Sequence, residues 1–387
     1  MKAPEPAPAT SSHGAWLRVA PLALWLSVAV VGVGASWFAA CFVADSMGAR
    51  DMQQMVDARR QLAAQVAEGM SSQITADVAL LRALPQTLAQ IDAIPRAVAR
   101  VDTRRWNLMD QGSCAEEAMS HPEVVDIDAF LNATAGNLGL DYVWVVNQHN
   151  YVVLANNAGH ADSFVGVQLS MQPYMKEAML GGLGEQFTIG PVTGVPGLFF
   201  AAPVYDAGGY LVATMGTKVS LARLQHWVSH PTSLVTDPNG LIILSTDASL
   251  VGKVLPDARL QHMGASDRYN AYQRVDFEPW PYQPTARAHR DVPSWVPAEV
   301  RDTLAWREGS AMPSLTVSRN ASADLTVVVA EPLPAWGQQI ANHARNRMIG
   351  FVLFVSVLVT FALVAWSLVR ERQHHRVTRH LNQRLQR

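Results

Sequence analysis

The run "LVATMGTKVS" (211–220) carries a single charge, Lys218, near the end of an otherwise apolar, strand-like stretch. A buried ammonium is costly unless it is paired. A bound carboxylate would pair it; alternatively its long stem carries the amine out to solvent. A second stretch, "GPVTGVPGLFFAAPV" (190–204), crowds Thr193, Gly194, Pro196 and Gly197 against Phe199 and Phe200. Turn chemistry accounts for these glycines and prolines as a hairpin, and the same cluster could form the lip of a pocket. Other chemistry is missing from the pattern. There is no Cys/His spacing of the zinc type, no glycine-rich nucleotide loop, and no G-x-S-x-G or other nucleophile–base motif. No catalytic residue, metal or cofactor is therefore expected.

Something must hold such a lysine, and the composition says where. The 387 residues are 49% hydrophobic and only 16% charged, with a net charge of −2. That balance gives no electrostatic bias toward nucleic acid. Val19 to Ala44 and Met348 to Val369 are free of charge, and roughly 20 apolar residues cross a bilayer as a helix. The first run is too long for the core of a cleaved signal. The tail 370–387 has six arginines and one glutamate, so the positive-inside rule keeps it cytoplasmic. Two spans then put both termini inside and 45–347 outside the inner membrane, in the periplasm. Cys41 and Cys114 lie in unlike surroundings and are not expected to pair.

Residues 1–14, rich in Pro, Ala and Ser, are expected to be disordered. Between the spans, Met55, Leu62, Val66, Met70, Ile74, Val78 and Leu81 recur at helical spacing and predict one long helix from Asp51 to about Ala83. The stripe either packs on its own domain or forms a dimer seam. "YVWVVN" and "YVVLANN" flank a hairpin turn, "MQPYMKEAML" reads as a short helix, and "EQFTIG", "GLFFAAPV" and "GYLVATMGTKVS" read as three more strands. Together they predict an antiparallel sheet with helices packed on it, an α+β class. "SLARLQHW" (220–227) reads as a helix leading away, "SLVTDPNGLIILSTD" as a hairpin, 255–312 as loops or an insertion, and "ASADLTVVVAEPL" as a closing strand.

With these elements in place, "DYVWVVNQHNYVVLANN", "SFVGVQLSMQPYMKEAM", "FTIGPVTGVPGLFFAAPV" and "LVATMGTKVSLARLQHW" follow one another in an order that resembles a known family. It is the double-Cache (tandem PAS-like) periplasmic sensor region of C4-dicarboxylate sensor histidine kinases. The resemblance covers 50–345 in architecture and is sharp over 141–227. It implies a cytoplasmic tail (1–18), a first transmembrane helix (19–44), and a long helix with connector (45–100). A membrane-distal ligand domain (101–228) and a smaller proximal domain (229–346) follow. A second transmembrane helix (348–369) and a basic cytoplasmic tail (370–387) end the chain. It further implies that the T-G-V-P-G turn borders the ligand pocket, its glycines letting N–H groups approach a carboxylate. Lys218 then contacts the ligand, the Tyr174 hydroxyl faces it, and Ser163, Phe164 and Gly166 belong to a loop that closes over it or supports it.

The chain departs from the family pattern at Gln172, where an arginine is usual, at Leu198 and Phe199, where tyrosines are frequent, and at Ala201, usually serine. An arginine–carboxylate bond contributes roughly 1.5–3 kcal/mol, and an unpaired buried charge costs roughly 3–5 kcal/mol. A monocarboxylate or less polar ligand therefore suits the site better than a dicarboxylate, unless His160 or Arg223 supplies a second charge. The expected site is Lys218, Tyr174, Gln172, Thr193, Gly194, Pro196, Gly197, Phe199 and Ser163. The expected function is a transmembrane receptor for a small mono- or dicarboxylate, probing the periplasm as a homodimer and signalling to a transporter or a transmitter protein. The family's transmitter histidine and ATP-binding domain do not follow in these 387 residues. His374, His375 and His380 read as part of a basic juxtamembrane helix. Alternatives are the sensor half of a kinase whose catalytic half is missing, and a scaffold whose pocket is degenerate.

Overall fold

The computed structural model describes residues 13–385, apart from 161, 170, 171, 191, 285–290 and 323, and side chains from 27 to 372. The disorder expected for 1–14 falls mostly on 1–12, outside the described residues, and is not met at His13 and Gly14, which are helical. Pro191 and the side chains of the tail histidines also lie outside the described residues. From His13 the chain is helical.

The elements run α1 (His13–Ala89), α2 (Ala93–Val98), α3 (Gln111–Met119), α4 (Pro122–Leu138), β1 (Tyr142–Asn147), β2 (Val152–Ala155), α5 (Pro173–Met179), β3 (Gly184–Ile189), β4 (Pro196–Tyr205) and β5 (Leu211–Ser220). After these come β6 (Ser233–Thr236), β7 (Ile242–Ser245), α6 (Arg259–His262), α7 (Ala265–Tyr272), β8 (Tyr282–Pro284), α8 (Ala298–Arg301), β9 (Leu304–Arg307), β10 (Pro313–Asn320), β11 (Thr326–Pro332) and α9 (Trp336–Leu385). They form two compact units. One comprises Ala58–Ala288 and Thr303–Pro332; the other comprises Met1–Asp57, His289–Asp302 and Leu333–Arg387.

The larger unit holds two antiparallel sheets, ordered β2-β1-β5-β4-β3 and β7-β6-β11-β10-β9-β8. Its part of α1 buries Ala63, Ala67, Met70, Ile74 and Val78 in the unit's own core. Met70, Ile74 and Val78 belong to the stripe read in the sequence, with Val66 and Leu81 packed beside them, while Ala63 and Ala67 extend it. Leu62 stays 43% exposed, because small alanines let the helix approach closely, and large apolar residues alone do not reveal such a face. Polar clasps fix the helix: Arg59 to Glu331 at 2.9 Å, Ser71 Oγ to the Asn320 carbonyl at 2.7 Å, and Trp227 Nε1 to Asp77 at 2.8 Å. Pro203 lies on β4 beyond the end of its pairing with β3, so its missing N–H leaves no gap in that ladder.

Two local expectations are corrected. Ser220 ends β5, and residues 221–227 form turns and one 3₁₀ turn at Gln225–Trp227 instead of a helix. The stretch is pinned at both ends, by the Asp141 carboxylate accepting from the Ser220 N–H and by the Trp227–Asp77 bond. The supposed loops of 255–312 contain α6, α7 and α8 and the strands β8 and β9, which complete the second sheet. Strands of three or four residues are too short to show a period in sequence.

In the smaller unit, α1 and α9 pack through small residues. Ser36, Ala40 and Ala44 are buried, and Gly350 lies against Ala40. Gly32 faces Leu358 so closely that a Cβ there would come within 2.8 Å. Such close backbone approach is the usual way helices associate in lipid. Trp37 meets Phe351 edge-on at 5.3 Å. Beyond this seam, His343 bonds Asp45 at 2.8 Å and stacks on Trp295 at 4.3 Å. Both helices are long and apolar enough to cross a membrane, and they leave large side chains such as Phe38, Phe42 and Phe361 exposed.

Candidate ligand site

Alternation along β5 turns Gly216 and Lys218 to the same face of the first sheet. Pairing then builds two cross-strand rows. Tyr142, Lys218 and Phe199 lie side by side, as do Trp144, Gly216 and Ala201. The lysine thus sits between two aromatic rings, with its amine 5.5 Å from the Tyr142 centroid and 5.3 Å from that of Phe199. In the second row the Trp144 indole lies over Gly216. A Cβ at that position would approach Trp144 Cε2 to 2.3 Å, so only glycine leaves room for the ring. Helix α5 supplies the roof, with Tyr174 5.3 Å from Phe199. Phe164, from the loop after β2, packs 4.6 Å from Tyr142.

Lys218 is 1% exposed. Its amine donates to Thr193 Oγ1 at 2.9 Å, and no other hydrogen bond to it is found among the described residues. Burial pulls its pKa below the ordinary lysine value, opposed by the negative charge of Asp141. The Tyr174 phenol is pushed up by burial, so it is a neutral hydroxyl at any physiological pH. The Trp144 Nε1–H is buried without a partner among the described residues. These side chains enclose a cavity of about 20 Å³ together with Leu169, Gly190 and Val192. Clefts of about 460 Å³ by Asp92 and Tyr205 and about 540 Å³ by Arg96 and Glu123 are larger. Both are open grooves, and neither is bordered by a charge removed from water.

Of the residues singled out in the sequence, Lys218, Tyr174, Thr193 and Phe199 come together at this cavity. Gly197 packs against the lysine stem. Gly194, with φ of 64°, closes the preceding turn by donating to the Gly190 carbonyl at 2.8 Å, and Pro196 opens β4; neither borders the hollow. Gln172 stands half-buried at the N-terminal cap of α5, away from the cavity lining. The Ser163 hydroxyl accepts from the Val165 N–H at 3.2 Å and so shapes its own loop. Arg223 pairs with Asp141 at 3.1 Å and is half-exposed, and His160 lies on an exposed turn; neither brings a second cation to the cavity. Tyr142, Trp144 and Leu169 were not singled out. The alternation in "YVWVVN" does put Tyr142 and Trp144 on one face, but nothing local says that this face meets β5.

A five-stranded antiparallel sheet with a cavity roofed by α5, a second sheet after it, and two long apolar helices make up a Cache-like fold. The sensor domain of the V. cholerae histidine kinase DctB has this fold. It superposes with a TM-score of 0.54 at 14% identity, covering 72% of this chain and 98% of that one. In sequence, the C4-dicarboxylate transport sensor protein DctB of Pseudomonas aeruginosa is 27% identical over 162 residues, 41% of this chain and 25% of that protein. Its namesake in Rhizobium meliloti is 25% identical over 177 residues, 46% and 26% of the two chains. The match therefore spans about a quarter of these relatives' length. No family model matches the chain.

Proposed function

We propose that the chain is the sensor region of a bitopic inner-membrane receptor, and that a small carboxylate-type molecule from the periplasm occupies the cavity at Lys218. The observation that carries this reading is the lysine itself, 1% exposed and, among the described residues, hydrogen-bonded only to a neutral hydroxyl. A buried ammonium without an ion-pair contact is costly to the fold, and a bound carboxylate would supply that contact. Residues 101–228 serve as the distal ligand domain and 229–346 as the proximal one. The spans at 19–44 and 348–369 carry the response inward, with both termini cytoplasmic as the arginine-rich tail favours. The acting form is a homodimer, and the output passes to a kinase transmitter, in the same polypeptide or a separate one, or to a transporter.

Thermal unfolding of the full chain in detergent, scanned against mono- and dicarboxylates, tests this reading. A concentration-dependent rise in midpoint that disappears in Lys218→Met supports it, and a rise that survives the substitution removes the site. One feature favours the scaffold reading instead. A hollow of about 20 Å³ has room for about one water molecule, so a pocket that never opens would be degenerate. The same scan separates the two, because a scaffold shows no ligand-dependent shift with any carboxylate.

A further inference from the structure

We infer that Trp144 is the second prong of the site, and that its indole N–H and the Lys218 ammonium together hold one carboxylate of a small monocarboxylate with an apolar tail. The inference rests on the Lys218 site proposed above and adds to it the ligand's chemical class and its second recognition group. Trp144 is 1% exposed, and its buried Nε1–H has no hydrogen-bond partner among the described residues. An indole nitrogen can only donate, and a buried donor without an acceptor is a rare and costly feature. Trp144 lines the same hollow as Lys218.

The two donors are also fixed. Trp144 sits in the cross-strand row next to that of Lys218, and close packing over Gly216 holds its ring. A carboxylate only accepts, and its two oxygens can satisfy both donors at once. Among the described residues the rest of the wall offers no second cation. Phe164, Leu169, Val192 and Phe199 present hydrocarbon, and the only other polar side chains are the neutral hydroxyls of Tyr174 and Thr193, the latter already accepting from the lysine. A second carboxylate would face rings and aliphatic groups without a cation, whereas a short apolar tail would meet its own kind.

The size of the hollow adds a consequence. The state seen here, with a cavity of about 20 Å³, is too small for any such ligand. Binding must open the aromatic wall, and all of the ligand's affinity is then for a different state of the domain. That is the condition for a ligand to shift a conformational equilibrium.

The test is calorimetric titration of the full chain in detergent with sodium propionate, butyrate and succinate, together with ¹⁵N-indole NMR in which Trp144→Phe assigns the Trp144 signal. The expected result is binding of the monocarboxylates, no binding of succinate, and a shift of the Trp144 N–H signal on saturation. Trp144→Phe weakens binding by about tenfold or more while still unfolding cooperatively, and Lys218→Met abolishes it. The NMR shift in the unmodified protein reads the contact even where a variant folds poorly. Unchanged butyrate affinity in Trp144→Phe with loss in Lys218→Met overturns the inference and leaves the site standing. Unchanged affinity in both variants overturns the site as well. Tighter binding of succinate than of butyrate, or no binding of either monocarboxylate at millimolar concentration, overturns the monocarboxylate assignment.

Discussion

Lys218 on the first sheet and Asp237 at the end of β6 are both charges taken out of water, 1% and 3% exposed, and their surroundings differ. Asp237 is enclosed by donors. Tyr272 donates its hydroxyl to the carboxylate, and the Asn239 and Leu241 N–H groups donate at 3.0 and 2.8 Å. The Tyr272 oxygen in turn accepts from Asn239 Nδ2 at 2.7 Å. The network closes the Asp237–Gly240 turn and docks α7, so that carboxylate is used up as structure. Among the described residues, Lys218 has one neutral acceptor and two aromatic faces. A buried charge whose bonds are complete belongs to the scaffold, and one whose bonds are incomplete points to where a ligand would complete them.

The comparison makes its largest prediction about stability. Asp237→Ala strands the Tyr272 hydroxyl and two backbone donors and is expected to cost about 3 kcal/mol or more. Lys218→Met removes an under-paired charge and is expected to leave stability unchanged or raise it by about 1 kcal/mol. Urea unfolding of the full chain in detergent checks both. Equal losses in the two variants would mean that Lys218 is as structural as Asp237.

Next in size is Gly216→Ala. The added Cβ would press into the Trp144 indole, at a cost of about 2 kcal/mol, and the displaced ring would take its N–H away from the cavity. Unfolding and butyrate titration of this variant read the two effects separately.

The pH dependence separates the two charges by sign. Burial holds the Lys218 pKa below 10.5, so the folded protein binds fewer protons than the unfolded chain between that lowered value and 10.5. Stability therefore rises with pH across this window, and the rise vanishes in Lys218→Met. Burial holds the Asp237 carboxyl above 3.8, against the bonds from Tyr272, Leu241 and Asn239. The folded state keeps an extra proton there, and stability falls as pH rises from 3.8 through the raised value. Unfolding midpoints recorded across the two ranges, with each variant as its own control, test the signs.

The smallest effect belongs to the exposed pair Arg223–Asp141. Arg223→Gln is expected to change stability by less than about 1 kcal/mol and to leave carboxylate binding unaltered. A large loss of binding would bring a second cation back to the site.

Much of this was legible from residue types. Lys218 is visible as the one charge on an apolar strand, and the glycine- and proline-rich turn of 190–197 is visible from its composition. The orphaned indole was not. "YVWVVN" reads as any half-buried strand, and Trp144 acquires meaning only beside Gly216, seventy-two residues later in the chain. The long helix was legible as a helix, but its buried face ran through Ala63 and Ala67, residues whose small size carries almost no hydrophobic signal. The short strands β8 and β9 fell below the length at which a period can be read.

Sequence alone determined the features that rest on local chemistry: apolar length sufficient for a bilayer, strand and helix periods, turn residues, and an isolated charge among hydrocarbon. Tertiary structure decided which faces meet. The central place of β5 between β1 and β4 sets the lysine against two rings and the indole beside it, because strand order and register are settled by non-local packing. The same packing leaves only about 20 Å³ in the cavity, and no pattern along the chain records how much space its side chains leave.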